Sequence, residues 1–286
     1  MFKGKKILVT GSEGMIGREL VEMLTSKGAI INKADLKLGD DLTHFDVCLK
    51  KCQGMDYVFH LAGIKGSPKM TNEKPSDFFV PMVQFNTNML EAARRNNVQG
   101  FLYTSSIAVL NPESDKYPAW AKMTGEKQIE AYRIQYPNAT KFCIVRPANV
   151  YGRYDNFKAE HPMVVTDLIR KAFTGKLDVW GDGSQIRDFI NAKDVARGMI
   201  LVMEKMPLNP ISLGSGNEYT IKQIVDIISK YTNAEVFFDV AKKVGDQKRV
   251  MDVSELNALG FSLQVTIEEG IKEAVDFYRD NYKVGE

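Results

Sequence analysis

The chain has 286 residues, of which 44% are hydrophobic and 26% charged, a composition typical of a globular protein with one large domain or two modest ones. Its 38 basic and 36 acidic residues are interspersed and leave a net charge of +2, so the sequence gives nucleic-acid binding no support. No segment has the form of a signal peptide or the length of a membrane span, and we expect a cytoplasmic protein with no membrane partner.

The cysteines favour the same compartment. Cys48, Cys52 and Cys143 are too few for a disulfide framework and suit a reducing environment. Cys48 and Cys52 lie four positions apart on a predicted helix, but no second pair of ligands accompanies them. We therefore expect no metal site.

The first predicted elements are a strand, a glycine loop and a helix. The apolar residues 7–9 predict a buried parallel strand, and apolar residues recur at helical spacing from Ile16. Between them stand Gly11, Gly14 and Gly17, whose spacing departs from the commoner Gly-x-Gly-x-x-Gly pattern. We expect Gly11 to take a positive φ, Gly14 to let a pyrophosphate approach, and Gly17 to let the helix pack closely. The helix N-terminus would offer free N–H groups to the phosphates.

A second strand, predicted from residues 29–31, leads to Asp35. An acidic residue about 20 positions beyond a glycine loop binds the hydroxyls of the adenosine ribose. Because its charge repels a 2′-phosphate, Asp35 favours NAD, with NADP the less favoured cofactor. Lys33 and Lys37 beside it are the reason to keep NADP open.

Strands and helices then alternate along the chain. A predicted strand at residues 55–63 ends in small residues, and His60 within it is expected to be structural. The elements that follow are a helix at 79–97, a strand at 101–104, a helix at about 120–136 and a strand at 141–145. This alternation predicts an α/β fold with a Rossmann-type doubly wound parallel sheet.

Beyond Tyr151 the pattern becomes looser and indicates a second unit. We predict a Rossmann domain from residues 1–162 and about 184–210, and a smaller α/β substrate domain from about 163–183 and 211–286. A unit inserted at the carboxyl edge of a parallel sheet leaves a cleft between the two. That cleft is the default active site.

Several short motifs resemble those of one protein family. The motifs span residues 10–17, 60–63, 104–109, 122–126, 146–152 and 181–189. Together they resemble the extended short-chain dehydrogenase/reductase family, also described as NAD-dependent epimerases and dehydratases, whose members modify nucleotide-activated sugars. Residues 155–157 and 248–261 look most like the GDP-fucose synthase branch.

The resemblance implies a cofactor site and a reaction. Members of the family move a hydride between a sugar carbon, often C4, and a nicotinamide. A tyrosine exchanges the sugar's proton, a lysine four residues later holds the nicotinamide ribose and lowers the tyrosine pKa, and a serine binds the same sugar oxygen. The implied cofactor contacts are Gly11, Gly14, Met15, Ile16, Gly17, Asp35, Asp41, Leu42, Leu61, Ala62, Gly63, Ser105, Lys122 and Pro147.

The catalytic pattern is incomplete in this chain. Lys122 and Ser106 match the lysine and the serine, although a serine at a strand end also commonly caps backbone. The position four residues before Lys122 is Pro118, and the nearest tyrosine is Tyr117. If Pro118 is the first residue of the helix, Tyr117 lies on the approach to it and swings inward as the acid/base. The alternatives are a packed or exposed loop aromatic, or a relay of the proton to Lys122 through water or a substrate hydroxyl.

Two further departures narrow the chemistry. Ile107 and Met163 stand where GDP-fucose synthases carry a cysteine and a histidine that epimerise the carbons beside the ketone, so we do not expect that double epimerisation. Ile107 and Ala108 also replace the Asp-Glu pair of the family's dehydratases. The chemistry that we still expect is redox at a single carbon, as carried out by a C4 epimerase, a ketoreductase or a dehydrogenase.

The substrate contacts implied by the resemblance are mainly basic. Asn149, Arg187 and Arg249, or Lys248 beside it, match positions that contact the nucleotide diphosphate, and surface ion pairs are the alternative for each cation. The helices at 79–97 and about 120–136 match those through which relatives form homodimers. A rival function remains, prompted by Pro118: a catalytically impaired member that binds NAD and a nucleotide sugar as a sensing or assembly partner.

Overall fold

The computed structural model describes residues 1–64, 68–114, 116–158, 162–242 and 244–282. The strands are β1 (Lys6–Thr10), β2 (Ile30–Ala34), β3 (Tyr57–His60), β4 (Gly100–Thr104), β5 (Lys141–Pro147), β6 (Asn149–Tyr151), β7 (Lys176–Trp180), β8 (Ile186–Arg187), β9 (Phe189–Asn191), β10 (Ile211–Leu213), β11 (Tyr219–Thr220), β12 (Glu235–Asp239) and β13 (Lys248–Arg249). The helices are α1 (Met15–Ser26), α2 (Phe45–Cys52), α3 (Pro68–Glu73), α4 (Pro75–Arg95), α5 (Lys116–Gln135), α6 (Val164–Ala172), α7 (Ala192–Lys205), α8 (Ile221–Thr232), α9 (Ser254–Ala258) and α10 (Ile267–Asn281). Short 3₁₀ helices cover Leu36–Leu38, Ile107–Leu110 and Pro112–Ser114.

A six-stranded sheet in the order β10-β5-β4-β3-β1-β2 organises the larger unit. Every pair of neighbouring strands in it is parallel. The strand order reverses between β1 and β3, and a reversal of this kind opens a crevice at the carboxyl ends of the strands. The Rossmann-type fold predicted from the sequence is confirmed.

Helices cover both faces of this sheet, which explains its continuously apolar strands. Ile7 and Val9 of β1 pack in one core with α1 and α7, whereas Leu8 packs in the other with α2, α4 and α5. Successive side chains of a strand point to opposite faces, so a strand covered on both sides needs an apolar residue at every position.

The smaller unit has its own core, formed by α6, β7, α8, β12 and α10. The parallel pair β7–β12, the three-stranded sheet β11-β8-β13 and the pair β6–β9 complete it. The predicted division after residue 210 differs from the structure in one respect. Residues 211–213 form β10, the edge strand of the large sheet beside β5, because their apolar side chains extend the Rossmann core.

Helix boundaries also differ from the sequence prediction. Helix α5 begins at Lys116, so Pro118 is not its first residue and Tyr117 already belongs to the first turn. The expectation that Tyr117 lies on an approach before the helix is therefore wrong. Across the described ranges, no helix is both long and apolar enough to cross a lipid bilayer.

Candidate active site

The glycine loop joins β1 to α1 with almost no spare space. Gly11 has φ +65°, and a Cβ built on it would lie 2.9 Å from the backbone N of Ala62. A Cβ on Gly17 would lie only 2.1 Å from the carbonyl O of Gly11. The predicted positive φ at Gly11 and the close helix packing at Gly17 are confirmed. Gly14 is the N-cap of α1, and its N–H donates to Gly11 O at 3.1 Å.

The loop and the cavity beside it fit a bound dinucleotide. The first turn of α1, which begins with Met15 and Ile16, contains no acidic residue to compensate the positive end of the helix dipole. The hydroxyls of Ser12 in the loop and Thr104 in the cavity wall are buried and have no hydrogen-bond partner among the described residues. Buried polar groups are normally paired, so these two are suited to a ligand.

The predicted adenosine contacts have well-defined partners. The Asp35 carboxylate accepts the N–H of Glu13 at 3.0 Å and that of Lys37 at 2.9 Å, which orients it beside the glycine loop. Asp41 instead accepts the N–H and hydroxyl of Thr43, and these hydrogen bonds lower its pKa. Leu42 is buried in the core with α2 and α4.

A cavity of about 260 Å³ lies at the carboxyl edge of the sheet. It brings together seven of the sequence-predicted site residues, namely Ile16, Leu61, Gly63, Ser105, Ser106, Lys122 and Pro147. The rest of its lining is Ile64, Met82, Thr104, Pro118, Ala148, Val150 and Met163. A larger depression of about 650 Å³ runs along α10 among charged side chains and contains none of the predicted residues.

Lys122 is the cation of the cavity. Its Nζ donates to the carbonyl O of Thr104 at 2.7 Å and lies 5.4 Å from the ring centroid of Tyr103. Burial disfavours the ammonium form and lowers the pKa of Lys122 to about 8. Lys122 is thus held in place, with a pKa closer to neutrality than that of an exposed lysine.

A buried chain of hydrogen bonds connects β1 to the backbone of Lys122, and the sequence reasoning did not predict it. The Thr10 hydroxyl accepts the N–H groups of Leu61 and Ala62, so its own proton goes to His60 Nδ1 at 2.8 Å. The next links are His60 Nε2 to Asn86 Oδ1 at 2.9 Å, Asn86 Nδ2 to Tyr103 Oη at 3.0 Å, and Tyr103 Oη to Lys122 O at 3.2 Å.

Each donor in this chain therefore finds an acceptor when the His60 ring is neutral. Burial is the main reason that the pKa of His60 falls to about 3, and the positive charge of Lys122 adds to the effect. The burial of His60 and the hydrogen bonds at both of its ring nitrogens are those expected of a structural histidine.

A second polar cluster, also not foreseen, lies one helical turn beyond Lys122. Glu126 accepts two hydrogen bonds from Arg146, at 2.9 and 2.6 Å, and one from the Ser105 hydroxyl at 2.5 Å. The acceptor capacity of its carboxylate is largely used by these contacts, so Glu126 is fixed beside the cavity without serving as a counter-ion to Lys122.

Ser106, Pro118 and Tyr117 are placed as follows. The Ser106 hydroxyl accepts the N–H of Ala108 at 3.1 Å and caps the 3₁₀ helix, yet it also lines the cavity and keeps its own proton to donate. Pro118 lines the cavity one helical turn before Lys122. Tyr117 is not among the described lining residues; its side chain is 40% exposed and its ring contacts Phe79, with centroids 6.4 Å apart.

The predicted diphosphate contacts lie on the short strands of the smaller unit. Arg187 on β8 and Arg249 on β13 are register partners, and burial together with the charge of Arg249 lowers the pKa of Arg187. Lys248 pairs instead with Glu218 at 2.5 Å and is exposed. Two adjacent guanidinium groups form a natural site for an anion.

Asp188, which the sequence reasoning did not single out, orders this end of the site. It is fully buried and accepts the N–H groups of Ser215, Gly216 and Met251. Its carbonyl O accepts the side-chain amide of Asn149 at 2.9 Å. The sequence signal that could have identified Asp188 is the RDF motif (residues 187–189), in which this acid directly follows Arg187, the predicted phosphate ligand.

The parallel sheet, the tight glycine turn and the lysine-containing cavity define a dinucleotide-binding protein of the Rossmann type. The chain belongs to the NAD dependent epimerase/dehydratase family, whose model matches residues 7–214. The resemblance inferred from the sequence motifs is confirmed.

Named relatives place the chain close to GDP-sugar enzymes. It is 27% identical to GDP-L-fucose synthase 1 of Arabidopsis thaliana, over 98% of this chain and 94% of that protein. It is 29% identical to GDP-L-colitose synthase of Yersinia pseudotuberculosis, over 96% and 97%. A GDP-mannoheptose C4 reductase from Campylobacter jejuni, solved with NADP bound, has a TM-score of 0.84 at 23% identity, covering 98% of this chain and 99% of that one.

Proposed function

We propose that the protein is an enzyme that transfers a hydride between a nicotinamide cofactor and C4 of a nucleotide-activated sugar, with GDP-sugars as the preferred substrates. One observation carries the proposal: a single cavity brings Ile16 of the cofactor helix together with Ser106 and Lys122. A sugar bound in this cavity would have its reacting carbon beside the cofactor and its oxygen beside the Ser106 hydroxyl and the Lys122 ammonium.

The cofactor is proposed to lie from Asp35, along the glycine loop, to Lys122. When bound, it donates or accepts the hydride. Between its two forms we propose NAD, because the N–H groups of Glu13 and Lys37 hold the Asp35 carboxylate beside the glycine loop. Lys33 is engaged by Glu13 at 3.1 Å. The NADP of the Campylobacter relative is the argument against this choice, and a comparison of the two binding constants decides it.

The substrate is proposed to bind through its diphosphate. Arg187 and Arg249 supply paired guanidinium groups, and the fork of an arginine matches phosphate oxygens better than an ammonium does. The relatives' names favour guanine as the base. Lys248 and Arg249 each have an acidic partner, Glu218 and Asp246, both at 2.5 Å. Arg249 is the preferred third contact because it lies beside Arg187 in register and its side chain is less exposed than that of Lys248.

The reaction is proposed to be confined to one carbon. Met163 lines the cavity and Ile107 is buried near it, and neither side chain can take up a proton. Epimerisation beside a ketone or elimination of water requires such a group. A C4 epimerase, a ketoreductase or a dehydrogenase requires only the hydride and one proton.

The experiment offers the purified protein NAD or NADP, oxidised and reduced, with GDP-, UDP- and dTDP-sugars and their 4-keto forms. Sugar products are followed by liquid chromatography that separates C4 epimers, coupled to mass spectrometry. We expect a GDP-sugar to change by two hydrogens, or to epimerise at C4. The rival function, favoured by Pro118 in the cavity wall, is an impaired member that senses or assembles. Tight binding of cofactor and sugar without any product would support the rival and overturn the enzyme.

The oligomer proposed is a homodimer formed through α4 and α5. These helices pack on each other and on the core, yet they leave Val80, Trp120 and Ile134 47%, 50% and 77% exposed. Light scattering after gel filtration should give about twice the chain mass of 32.2 kDa. A monomer at all concentrations would contradict the proposal.

A further inference from the structure

Pro118 occupies the place on α5 where the family pattern has its tyrosine. Residues four apart on a helix share a face, and Pro118 and Lys122 both line the cavity. One helical step turns a side chain by about 100°, and Tyr117 accordingly contacts Phe79 at the surface. The cavity wall therefore holds a proline where an acid/base is required.

The other described lining residues offer one titratable group. Thr104, Ser105 and Ser106 contribute hydroxyls, which do not ionise in the neutral range, and the Ser105 hydroxyl already donates to Glu126. Leaving aside residues outside the described ranges, Lys122 alone in this wall can both lose and regain a proton.

We propose that the Nζ of Lys122 is itself the group that exchanges the proton with the sugar oxygen, while the Ser106 hydroxyl donates a hydrogen bond to the same oxygen. This inference rests on the proposed hydride transfer. In the reductive direction the carbonyl carbon accepts the hydride that a reduced nicotinamide would release by breaking one of its C–H bonds, and the electron pair of the C=O π bond moves to oxygen. That oxygen takes a proton from the Nζ ammonium, so an N–H bond breaks and an O–H bond forms. The neutral amine regains its proton from water, and oxidation reverses these steps.

The described surroundings of Lys122 suit this role. On α5, Glu126 is held by Arg146 of β5 and by Ser105, and among the described residues no carboxylate pairs with the Lys122 ammonium. The nearby His60 of β3 is a neutral ring. From β4, Lys122 faces the Tyr103 ring and the carbonyl O of Thr104, which fixes Nζ through one N–H and leaves two for ligands. A group whose pKa lies near the working pH is the most effective proton donor and acceptor.

The first readout needs no turnover. An amine-reactive reagent is applied across pH 6 to 11 and the labelled lysines are quantified by mass spectrometry, with Lys127 as the exposed control on the same helix. We expect Lys122 labelling to follow a titration near pH 8, the pKa its burial gives. Lys127 labelling should follow a titration at higher pH, because the hydrogen bond to Glu130 raises the pKa of Lys127. Coincident titrations of the two lysines would overturn the proposal.

The second readout separates proton exchange from ribose binding. Lys122→Arg keeps a cation and its donors but does not deprotonate, so turnover should fall by about 100- to 10,000-fold while cofactor affinity is largely kept. Lys122→Ala should be rescued by small primary amines, more strongly as the amine becomes more basic. Tyr117→Phe is the discriminating variant and should retain turnover within about threefold.

The outcomes are distinct. If the wild-type protein turns over no sugar, the proposed function itself is wrong. A wild-type protein that is active, together with an inactive Tyr117→Phe variant of unchanged cofactor affinity, assigns the proton to Tyr117 and overturns the role of Lys122. Failure of every amine to rescue Lys122→Ala overturns it as well.

Discussion

The two ends of the proposed site are constructed differently. At the cofactor end, the backbone is fixed by steric fit and by buried hydrogen bonds: Gly17 has no room for a Cβ, and His60 and Asn86 are almost completely buried. At the substrate end, Arg187 and Arg249 stand on strands of two residues, and the Asp246 that pairs with Arg249 is 40% exposed at its side chain.

This difference predicts whether a substitution will change the stability of the protein or its affinity for substrate. Leaving a buried polar group unpaired costs about 1–3 kcal/mol, whereas an exposed ion pair contributes about 0–1 kcal/mol. Changes at the cofactor end should therefore lower the free energy of unfolding. Changes at the substrate end should lower substrate affinity and leave stability nearly unchanged, so substrate choice can vary among relatives without loss of the fold.

The largest effect is expected for Gly17→Ala. Alanine gains about 1 kcal/mol over glycine in a helix, but overpacking costs about 3 kcal/mol. At 2.1 Å the new Cβ meets the Gly11 carbonyl, which is backbone and cannot move aside cheaply. We expect a net loss of about 2 kcal/mol or more in urea unfolding, together with loss of dinucleotide binding.

The matched control is Gly14→Ala in the same loop. Its Cβ would lie 3.2 Å from the same oxygen, so stability should change by less than about 1 kcal/mol while dinucleotide affinity falls. Equal stability of the two variants would show that steric fit does not fix this end of the site.

The next effect is a pH dependence that originates at His60. Its pKa in the folded state, about 3, lies below the unfolded value of 6.5, so the unfolded chain binds a proton that the folded chain refuses. Stability from this group is complete above pH 6.5 and is lost as the pH falls toward 3. At pH 5 the loss should be roughly 2 kcal/mol, at about 1.4 kcal/mol per pH unit.

His60→Gln isolates this effect, because glutamine hydrogen bonds but does not titrate in this range. The variant should be less stable than the wild type at pH 7, and the gap should narrow by roughly 2 kcal/mol at pH 5. Parallel pH profiles would mean that His60 is not held neutral by the buried chain of hydrogen bonds.

The same contrast explains what the sequence could predict. The cofactor end depends on features that lie close together in the sequence: a buried strand, three glycines, and an acidic residue at a fixed spacing after those glycines. The chain from Thr10 to Lys122 joins residues from β1, β3, α4, β4 and α5, which are distant in sequence, so no single motif contains it. Likewise Glu126 follows Lys122 by one helical turn, but its ion pair with Arg146 could not be predicted from the sequence, because it depends on the packing of β5 beside α5.

The position of Tyr117 could not be obtained from spacing alone. It depends on where α5 starts, and a sequence pattern specifies that a helix exists more reliably than it specifies the first residue of the helix. Residue 211 and its neighbours show the same limit, since a three-residue strand joins the large sheet through tertiary packing and not through a pattern of its own.

At the substrate end, Arg187→Ala should weaken GDP-sugar binding about tenfold or more, because a charge-assisted hydrogen bond contributes about 1.5–3 kcal/mol. The free energy of unfolding should change by no more than about 0.5 kcal/mol, since the repulsion from Arg249 is relieved. Calorimetry and urea unfolding measure the two. Lys248→Ala is the control and should leave affinity unchanged; a larger effect there than at Arg187 would move the phosphate contact to Lys248.

The smallest expected effect is on the choice between NAD and NADP. It tests whether the rigid cofactor end of the site also discriminates between these two cofactors. Asp35→Asn keeps an oxygen for the N–H of Glu13 or Lys37 and removes the negative charge near the adenosine ribose. Two unit charges 4 Å apart interact by about 1 kcal/mol in water, so NADP affinity should rise about fivefold relative to NAD. Asp41→Asn is the charge-matched control, since its carboxylate is directed to Thr43, and the ratio of the two affinities should stay as in the wild type. A wild-type protein that already prefers NADP, with a ratio unmoved by Asp35→Asn, would instead assign the 2′-phosphate to Lys33 and Lys37, whose cations would then outweigh the carboxylate between them.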